Sequence, residues 1–435
     1  MTPFDIGLIV LAAMLVLVLL GMTVSIALMA CSFVGVWLIR GSPDLAANLM
    51  ALAASDTISS YFFGVVPLFV LMGFLVSESG MGRDAFDVAN QMFRRIRGGL
   101  GVGTVGANAI FAAITGVSIA SAAVFTKIAV PQMMRNGYSP RFATGVVAGS
   151  SVLGMLIPPS LLLILYGILT EQNIGDLFIA GIGPGILLAL AFGIGIVVTA
   201  IFAPRTLGNP QIPEEGEISR ANLLRKGLPI VALIVLVLGG IYGGIFTPVE
   251  AGGIGALGAL ALGIMKRTLG LRALGRVLVD TGLVTAAICF LIIAAQMYSR
   301  MLALSGLPAG FGAFVIDAEL GLTMVLLLYI LVVIAMGMML DSSSIMLILV
   351  PLMMPVMVGF DVDLIWFGIV TVIAVEIGLL TPPFGISVYV IKSTLDDPFI
   401  TLGDIFIGAA PFALAMLAVL MLVVAFPVIA TGLIP

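Results

Sequence analysis

The predicted fold class is an all-α polytopic membrane protein built as an inverted repeat, and three observations predict it. Of the 435 residues, 61% are hydrophobic and only 9% charged, with a mean hydropathy of +1.29. A water-soluble globule carries about 25% charged residues. A long window near Ile114 to Tyr166 returns near Ala335 to Thr394. Gly116 returns as Gly337 and Ser121 as Ser342, at one and the same offset. Val130-Pro131 returns as Val350-Pro351, Gly145 as Gly368, and Pro158-Pro159 as Pro382-Pro383, with the offset hardly changing along the window. A match that drifts so little is an internal repeat. Finally, the apolar segments divide into five spans per half, and an odd count inverts the second half.

The elements follow from the roughly 20 apolar residues that one helix needs to cross a bilayer. Residues 6–39 are too long for one span, so they break near Gly21 into spans over 5–20 and 22–39. A short segment at 43–56 suits the interface, and a third span covers 61–77. The polar, basic stretch GMGRDAFDVANQMFRRIRGG then reads as an interfacial amphipathic helix. Residues 99–135 form two apolar arms around TGVSIAS. Span four, 141–169, is interrupted at GMLIPPS, and span five is 177–203. That completes a first repeat over 1–203.

Residues 204–226 are the only clearly soluble stretch and read as a linker between the halves. The second repeat, 227–435, keeps the order. Spans six and seven cover 228–244 and 247–265, a basic segment 266–276, and span eight 278–298. Two arms at 320–358 flank GMMLDSSS. Span nine, 364–392, is interrupted at GLLTPPF, and span ten is 405–430.

Charge supplies the orientation. With a periplasmic N-terminus and each two-armed segment a re-entrant hairpin, 15 of the 18 basic residues fall on the cytoplasmic side. The acids Asp317, Glu319, Asp361 and Asp363 bracket the second hairpin without Lys or Arg, as an outside position requires. The first hairpin is then cytoplasmic, the second periplasmic and the linker cytoplasmic. The N-terminus lacks a basic region and a small-residue cleavage site, so it reads as a retained span.

Composition also excludes chemistry. The chain contains no histidine, which removes the commonest general base and metal ligand. Cys31 and Cys289 stand far apart in apolar sequence and offer no metal spacing. No enzyme activity is expected, and no nucleic acid among the partners.

The repeated motifs share one property: each puts Gly, Ser, Thr or Pro into the middle of apolar sequence. Broken backbone survives at membrane depth only where protein buries it or a polar cavity is lined by it. Such interruptions, paired between two halves, point to a transporter's binding site. The alternative is tight helix packing through small residues and ordinary Pro kinks.

ITGVSIASA, LGMLIPPS, GMMLDSSSI and GLLTPPFGI together resemble the large membrane (DctM-like) subunit of TRAP transporters, the tripartite ATP-independent periplasmic transporters. The similarity covers essentially the whole chain. More distantly the sequence resembles sodium-coupled divalent-anion carriers. The resemblance implies an elevator-type fold of the ion-transporter superfamily in a bacterial inner membrane, with at least two sodium ions as coupling ions. It also implies a separate small four-helix membrane subunit, a periplasmic substrate-binding protein, and a small organic anion or zwitterion as cargo. A stand-alone proton- or sodium-coupled carrier is the rival expectation.

On this reading a first sodium pocket comprises Thr115, Gly116 and Ser118 at one tip, facing Ser150, Gly154, Pro158 and Ser160. A second comprises Gly337, Asp341 and Ser342, facing Gly378, Thr381 and Pro382. A hard cation wants oxygen ligands, which unwound carbonyls and hydroxyls supply. Pro frees the carbonyl four residues earlier, and new helix N-termini suit a carboxylate. Ser121, Ser343, Pro159 and Pro383 are candidate substrate-lining residues. Charges at such depth are costly and usually functional or paired. Asp341 can ligand sodium or carry a proton, and Glu376 fits a cation site or a structural pair. Lys127 either anchors an acid group or snorkels toward the cytoplasm. Glu250 reads as structural or interfacial.

Overall fold

The computed structural model describes residues 1–209, 219–395 and 397–434. Two 17-residue helices, α1 (Pro3–Leu19) and α2 (Val24–Arg40), open the chain, separated at Gly21 by a positive φ of 94°. After α3 (Pro43–Ser59), a 3-10 turn at Tyr61–Gly64 leads into α4 (Val65–Glu78). The amphipathic α5 (Met81–Phe93) precedes the first hairpin, whose arms are α6 (Gly99–Thr115) and α7 (Ser118–Arg135). The first broken helix consists of α8 (Pro140–Ser151), a 3-10 turn at Val152–Met155, and α9 (Leu161–Thr170). Next come α10 (Ile174–Phe202) and the short α11 (Pro204–Leu207).

The second half begins with α12 (Arg220–Ile234), continued by a π turn at Val235–Gly239 into α13 (Gly240–Tyr242). It continues with α14 (Pro248–Met265), α15 (Leu271–Ser305) and α16 (Leu307–Asp317). The second hairpin has arms α17 (Leu322–Gly337) and α18 (Ser342–Gly359). The second broken helix is α19 (Leu364–Leu379) and α20 (Ile386–Thr394), followed by α21 (Leu402–Ala425) and α22 (Val428–Thr431). Seven helical stretches among the described residues are long and apolar enough to span a bilayer. The protein is therefore read as a multi-pass membrane protein.

Local sequence explains the helix starts. Thr2, Thr247 and Thr401 each precede an acid by three residues, and all three form reciprocal capping boxes with Asp5, Glu250 and Asp404. Glu250 is therefore a cap: its carboxylate accepts from the Thr247 N–H at 2.8 Å. Three boundaries differ from the sequence reading. The expected linker 204–226 becomes helical from Arg220, because Ser219 caps Asn222 N–H at 3.3 Å and RANLLRK is a run of good helix formers. Residues 210–218 of that linker lie outside the described residues. Span eight is a 35-residue helix that absorbs Arg272 and Arg276 from the basic segment, since long cationic stems are compatible with a helix end at the interface. It stops at Gly306, where φ is +68°, and Pro308 starts α16.

Contacts along the hairpins show that each returns to the side it came from. In the first turn of α6, a methyl at Gly101 would sit 3.2 Å from the Phe142 ring in the first turn of α8. At the tip, a methyl at Gly116 would sit 2.3 Å from the Pro159 carbonyl. So α6 and α8 run side by side to the break, and α7 returns from there. About 18 Å of α8 precede the break and about 15 Å of α9 follow it, so the tip stops inside the layer. The second hairpin does the same. Tyr329 packs on Phe367 with ring centroids 5.0 Å apart, and Gly337 further along α17 meets Gly378.

Ion pairs respect the sides that charge assigns. Arg141 meets Asp404 at 2.6 Å, Lys226 meets Asp87, and Lys266 meets Asp84, all at expected cytoplasmic ends. Arg300 meets Asp56 at 2.6 Å at the expected outer end. The Lys226 and Lys266 pairs fasten α5 to the second half while α5 also packs on α6.

Candidate functional site

Each hairpin tip docks on a broken helix through backbone. The Leu161 N–H donates to the Gly116 carbonyl at 3.1 Å. In the other half, the N–H groups of Phe384 and Gly385 donate to the Met338 carbonyl at 3.3 and 3.4 Å. Leu161 and Gly385 are related by the same repeat offset as the two double prolines. Pro158-Pro159 and Pro382-Pro383 are both cis. Glycine is required because the backbones nearly touch. A methyl at Gly154 would lie 3.0 Å from Ser118 N, and one at Gly378 would lie 2.5 Å from the Gly337 Cα. Gly116 also has a φ of +66°, which favours glycine.

The first tip brings Thr115, Gly116 and Ser118 against Gly154, Pro159 and Ser160. Thr115 Oγ1 donates to the Phe111 carbonyl at 2.9 Å, and Ser160 Oγ donates to the Met155 carbonyl at 2.5 Å while capping Leu163 N–H at 3.2 Å. Pro158 faces away toward α10, where a methyl at Gly181 would lie 3.6 Å from its ring. Ser150 and Ser121 lie a layer below the tip and meet through a residue the sequence reading missed. Asn108 Nδ2 donates to Ser150 Oγ, and Ser121 Oγ donates to Asn108 Oδ1, both at 2.6 Å. All three are fully buried. The second half repeats this bond: Tyr329 OH and Thr371 Oγ1 are 3.0 Å apart. Asn108 maps onto Tyr329, and Ser150 onto Thr371, by the offset that maps Gly116 onto Gly337. The repeat offset, applied to side chains other than Gly, Ser and Pro, was the signal that could have found them.

At the second tip, Asp341 caps α18, accepting from Ser344 N–H at 3.1 Å and from the Ser344 hydroxyl. Thr381 Oγ1 donates to the Ile377 carbonyl at 2.7 Å, leaving its lone pairs free to accept or coordinate. Ser342 Oγ donates to Glu376 Oε1 at 3.0 Å. Ser118, from the other hairpin, lies near that carboxylate. Ser118 Oγ and Glu376 Oε2 are both buried without a hydrogen bond among the described residues. The two tips therefore converge on one carboxylate. Ser343 is half-buried beside them.

Pro158 and Pro159 are buried, whereas Pro382 and Pro383 are exposed, so the second break is open and the first closed. Lys127 is not brought in: it is exposed on α7, roughly 15 Å along the helix from the tip. Tyr166 is buried and joins the halves by donating to the Leu364 carbonyl at 2.5 Å, while Tyr389 is exposed.

The electrostatic pattern is mixed at both docks. The N-termini of α7 and α9 meet the C-terminus of α6, and those of α18 and α20 meet the C-terminus of α17. Amide ends favour an anion and carbonyl ends a cation, so each dock presents partners for both signs of charge.

The family model for the tripartite ATP-independent periplasmic transporter, DctM component, matches residues 11–429. The chain belongs to the DctM family. This DctM chain is 34% identical over 393 residues to the C4-dicarboxylate TRAP transporter large permease protein DctM of Pseudomonas aeruginosa, covering 90% of each. It is 30% identical to the sialic acid TRAP transporter large permease SiaM of Vibrio cholerae, covering 87% of this chain and 88% of that one. It is also 30% identical to the ectoine TRAP transporter large permease TeaC of Halomonas elongata, over 97% of each. Among solved structures, the YdaH transporter of Alcanivorax borkumensis superposes with a TM-score of 0.62 at 13% identity, over 88% of this chain and 89% of that one. MtrF of Neisseria gonorrhoeae gives 0.59 at 16%, over 87% and 84%. These two establish a shared fold. The DctM chain is a transporter permease subunit.

Proposed function

We propose that this DctM-family chain is the large permease subunit of a sodium-driven importer that receives a small organic acid or zwitterion from a periplasmic binding protein. A separate small four-helix subunit completes it. The observation that carries this reading is the pair of matched docks, Gly116 on Leu161 and Met338 on Gly385. Each brings carbonyl and amide helix ends to one point, the chemistry a coupled cation and anion need.

The first sodium pocket is built around Thr115, Gly116, Ser118 and Gly154, and the second around Gly337, Gly378 and Thr381. Asp341 shapes the second pocket as a cap and adds negative charge beside it. The cargo carboxylate lies between the tips, near Ser343. In this reading α6–α10 and α17–α22 form a transport body that moves as an elevator, and α1–α5 with α12–α16 form the scaffold. C4-dicarboxylates, sialic acid and ectoine, the cargoes in the names of the similar permeases, are the candidate cargoes for this one.

The test is uptake into proteoliposomes containing the chain with its small subunit, given binding protein and a labelled C4-dicarboxylate, sialic acid or ectoine. Uptake is expected only with an inward sodium gradient and only with both partners. Equal uptake by the isolated chain would favour a stand-alone carrier.

A further inference from the structure

Away from the hairpins, α8, α10 and α21 enclose a crevice of about 550 Å³. Its α10 wall presents Ala191, Gly195 and Thr199 at four-residue spacing, which places them on one helix face. Phe192 and Phe412 form the floor, edge to face at 5.2 Å. The opposite contact is tight: a methyl at Gly145 of α8 would lie 2.1 Å from the Gly408 carbonyl of α21. So α21 is pressed against α8 and leaves space only where α10 carries small side chains.

The mouth of the crevice is cationic. Arg141 sits at the start of α8 and Arg205 just beyond the end of α10. Arg141 holds Asp404 through Nε at 2.6 Å, yet its side chain remains 60% exposed, leaving terminal N–H groups to face outward. Arg205 is exposed. Both stand at helix ends, and both belong to the basic set that charge assigns to the cytoplasmic side.

We propose that this crevice binds an anionic phospholipid, with one acyl chain along α10 and its phosphate at Arg141 and Arg205. A guanidinium matches phosphate with paired donors, and basic pockets between spanning helices on the cytoplasmic side are suited to anionic headgroups. The groove from Thr199 to Ala191 runs about 12 Å, close to the roughly 15 Å of hydrocarbon in one leaflet. A soluble anion would satisfy the arginines but leave the apolar groove without an occupant.

Native mass spectrometry of the complex with its small subunit tests this. The complex is incubated with phosphatidylglycerol, with phosphatidylcholine of the same chains, or with inorganic phosphate. One phosphatidylglycerol per large subunit is expected to survive conditions that strip phosphatidylcholine, with about tenfold higher retention, equivalent to 1.4 kcal/mol. Arg205→Gln should lower that retention about fivefold by removing one charge. Gly195→Leu should do the same, because a side chain there enters open space and fills the groove. Gly282→Leu, also in open space on α15, should change nothing. Equal retention in wild type, Arg205→Gln and Gly195→Leu overturns the proposal, as does equal retention of phosphatidylcholine. Phosphate bound as well as phosphatidylglycerol would reassign the mouth to a free anion. The exposed Arg205→Gln variant alone decides the matter if Gly195→Leu does not assemble.

Discussion

Ser342 Oγ donates to Glu376 Oε1 at 3.0 Å, so the tip of the second hairpin is bonded to the broken helix it docks on. Both residues are buried, and Ser118 of the first hairpin stands over the same carboxylate. A buried carboxylate with few donors is sensitive to the loss of one. Ser342→Ala is expected to destabilise the purified complex by about 1–3 kcal/mol, the range for leaving a buried polar group without its partner. Glu376→Gln, which keeps the shape and an acceptor oxygen for Ser342, should cost less. A thermal-unfolding series in one detergent checks the order. An unchanged Ser342→Ala would show that the bond does not hold the tip.

The glycine contacts predict steric effects on transport. Gly378→Ala puts a methyl 2.5 Å from the Gly337 Cα, and Gly116→Ala puts one 2.3 Å from the Pro159 carbonyl at a positive φ. Neither neighbour is a flexible side-chain end, so the tip must lift. Uptake should fall at least about tenfold in both, the effect of 1.4 kcal/mol or more on a docked state. Gly312→Ala, in open space on α16, should transport normally. Normal uptake by Gly378→Ala would refute the docked tip.

The buried Asn108 network should behave as a unit. Asn108→Ala leaves two buried hydroxyls short of a partner, at about 1–3 kcal/mol. Tyr329→Phe removes the corresponding bond to Thr371 and should cost about 0.5–1.5 kcal/mol. A double-mutant cycle of Asn108→Ala with Ser150→Ala should show coupling of at least about 0.5 kcal/mol. Strict additivity would mean the bond carries no energy.

Much of this arrangement was legible in the chain, and the reason is physical. TGVSIAS, the double prolines and GMMLDSSS break helices where apolar sequence should continue them, so both tips and both breaks announce themselves. Asn108, Tyr329 and Thr371 did not. A single polar side chain in an apolar arm looks alike whether it lines a pocket or satisfies a neighbour, and only the fold supplies its partner on another helix. Asp341 was legible as a charge at the tip but not as a cap, because the helix start at Ser342 decides that role. The Ser118–Glu376 meeting joins different repeats, and the repeat offset does not relate them. The helical start at Arg220 was hidden by the charge of RANLLRK, which reads as linker until Ser219 is seen to cap it.

The sides of the membrane yield a labelling prediction. Arg135 ends the return arm of the first hairpin, and Ala318 precedes the second; both are exposed. With Cys31 and Cys289 replaced by serine, Arg135→Cys should react with a membrane-impermeant maleimide only after the inner membrane is opened. Ala318→Cys should react in intact spheroplasts. Reaction of both from one side would remove the inverted arrangement.

The sodium response of Thr381→Val addresses the proposed coupling most directly. The substitution keeps the side-chain volume, replaces Oγ1 with a methyl and leaves Pro382 and Pro383 in place. Uptake of a transported cargo is measured in proteoliposomes with both partners across a range of sodium concentrations. The account predicts that the sodium concentration for half-maximal uptake rises about tenfold, equivalent to 1.4 kcal/mol, while the rate at saturating sodium is recovered. A sodium response identical to wild type, or uptake driven equally well by a proton gradient without sodium, would contradict it.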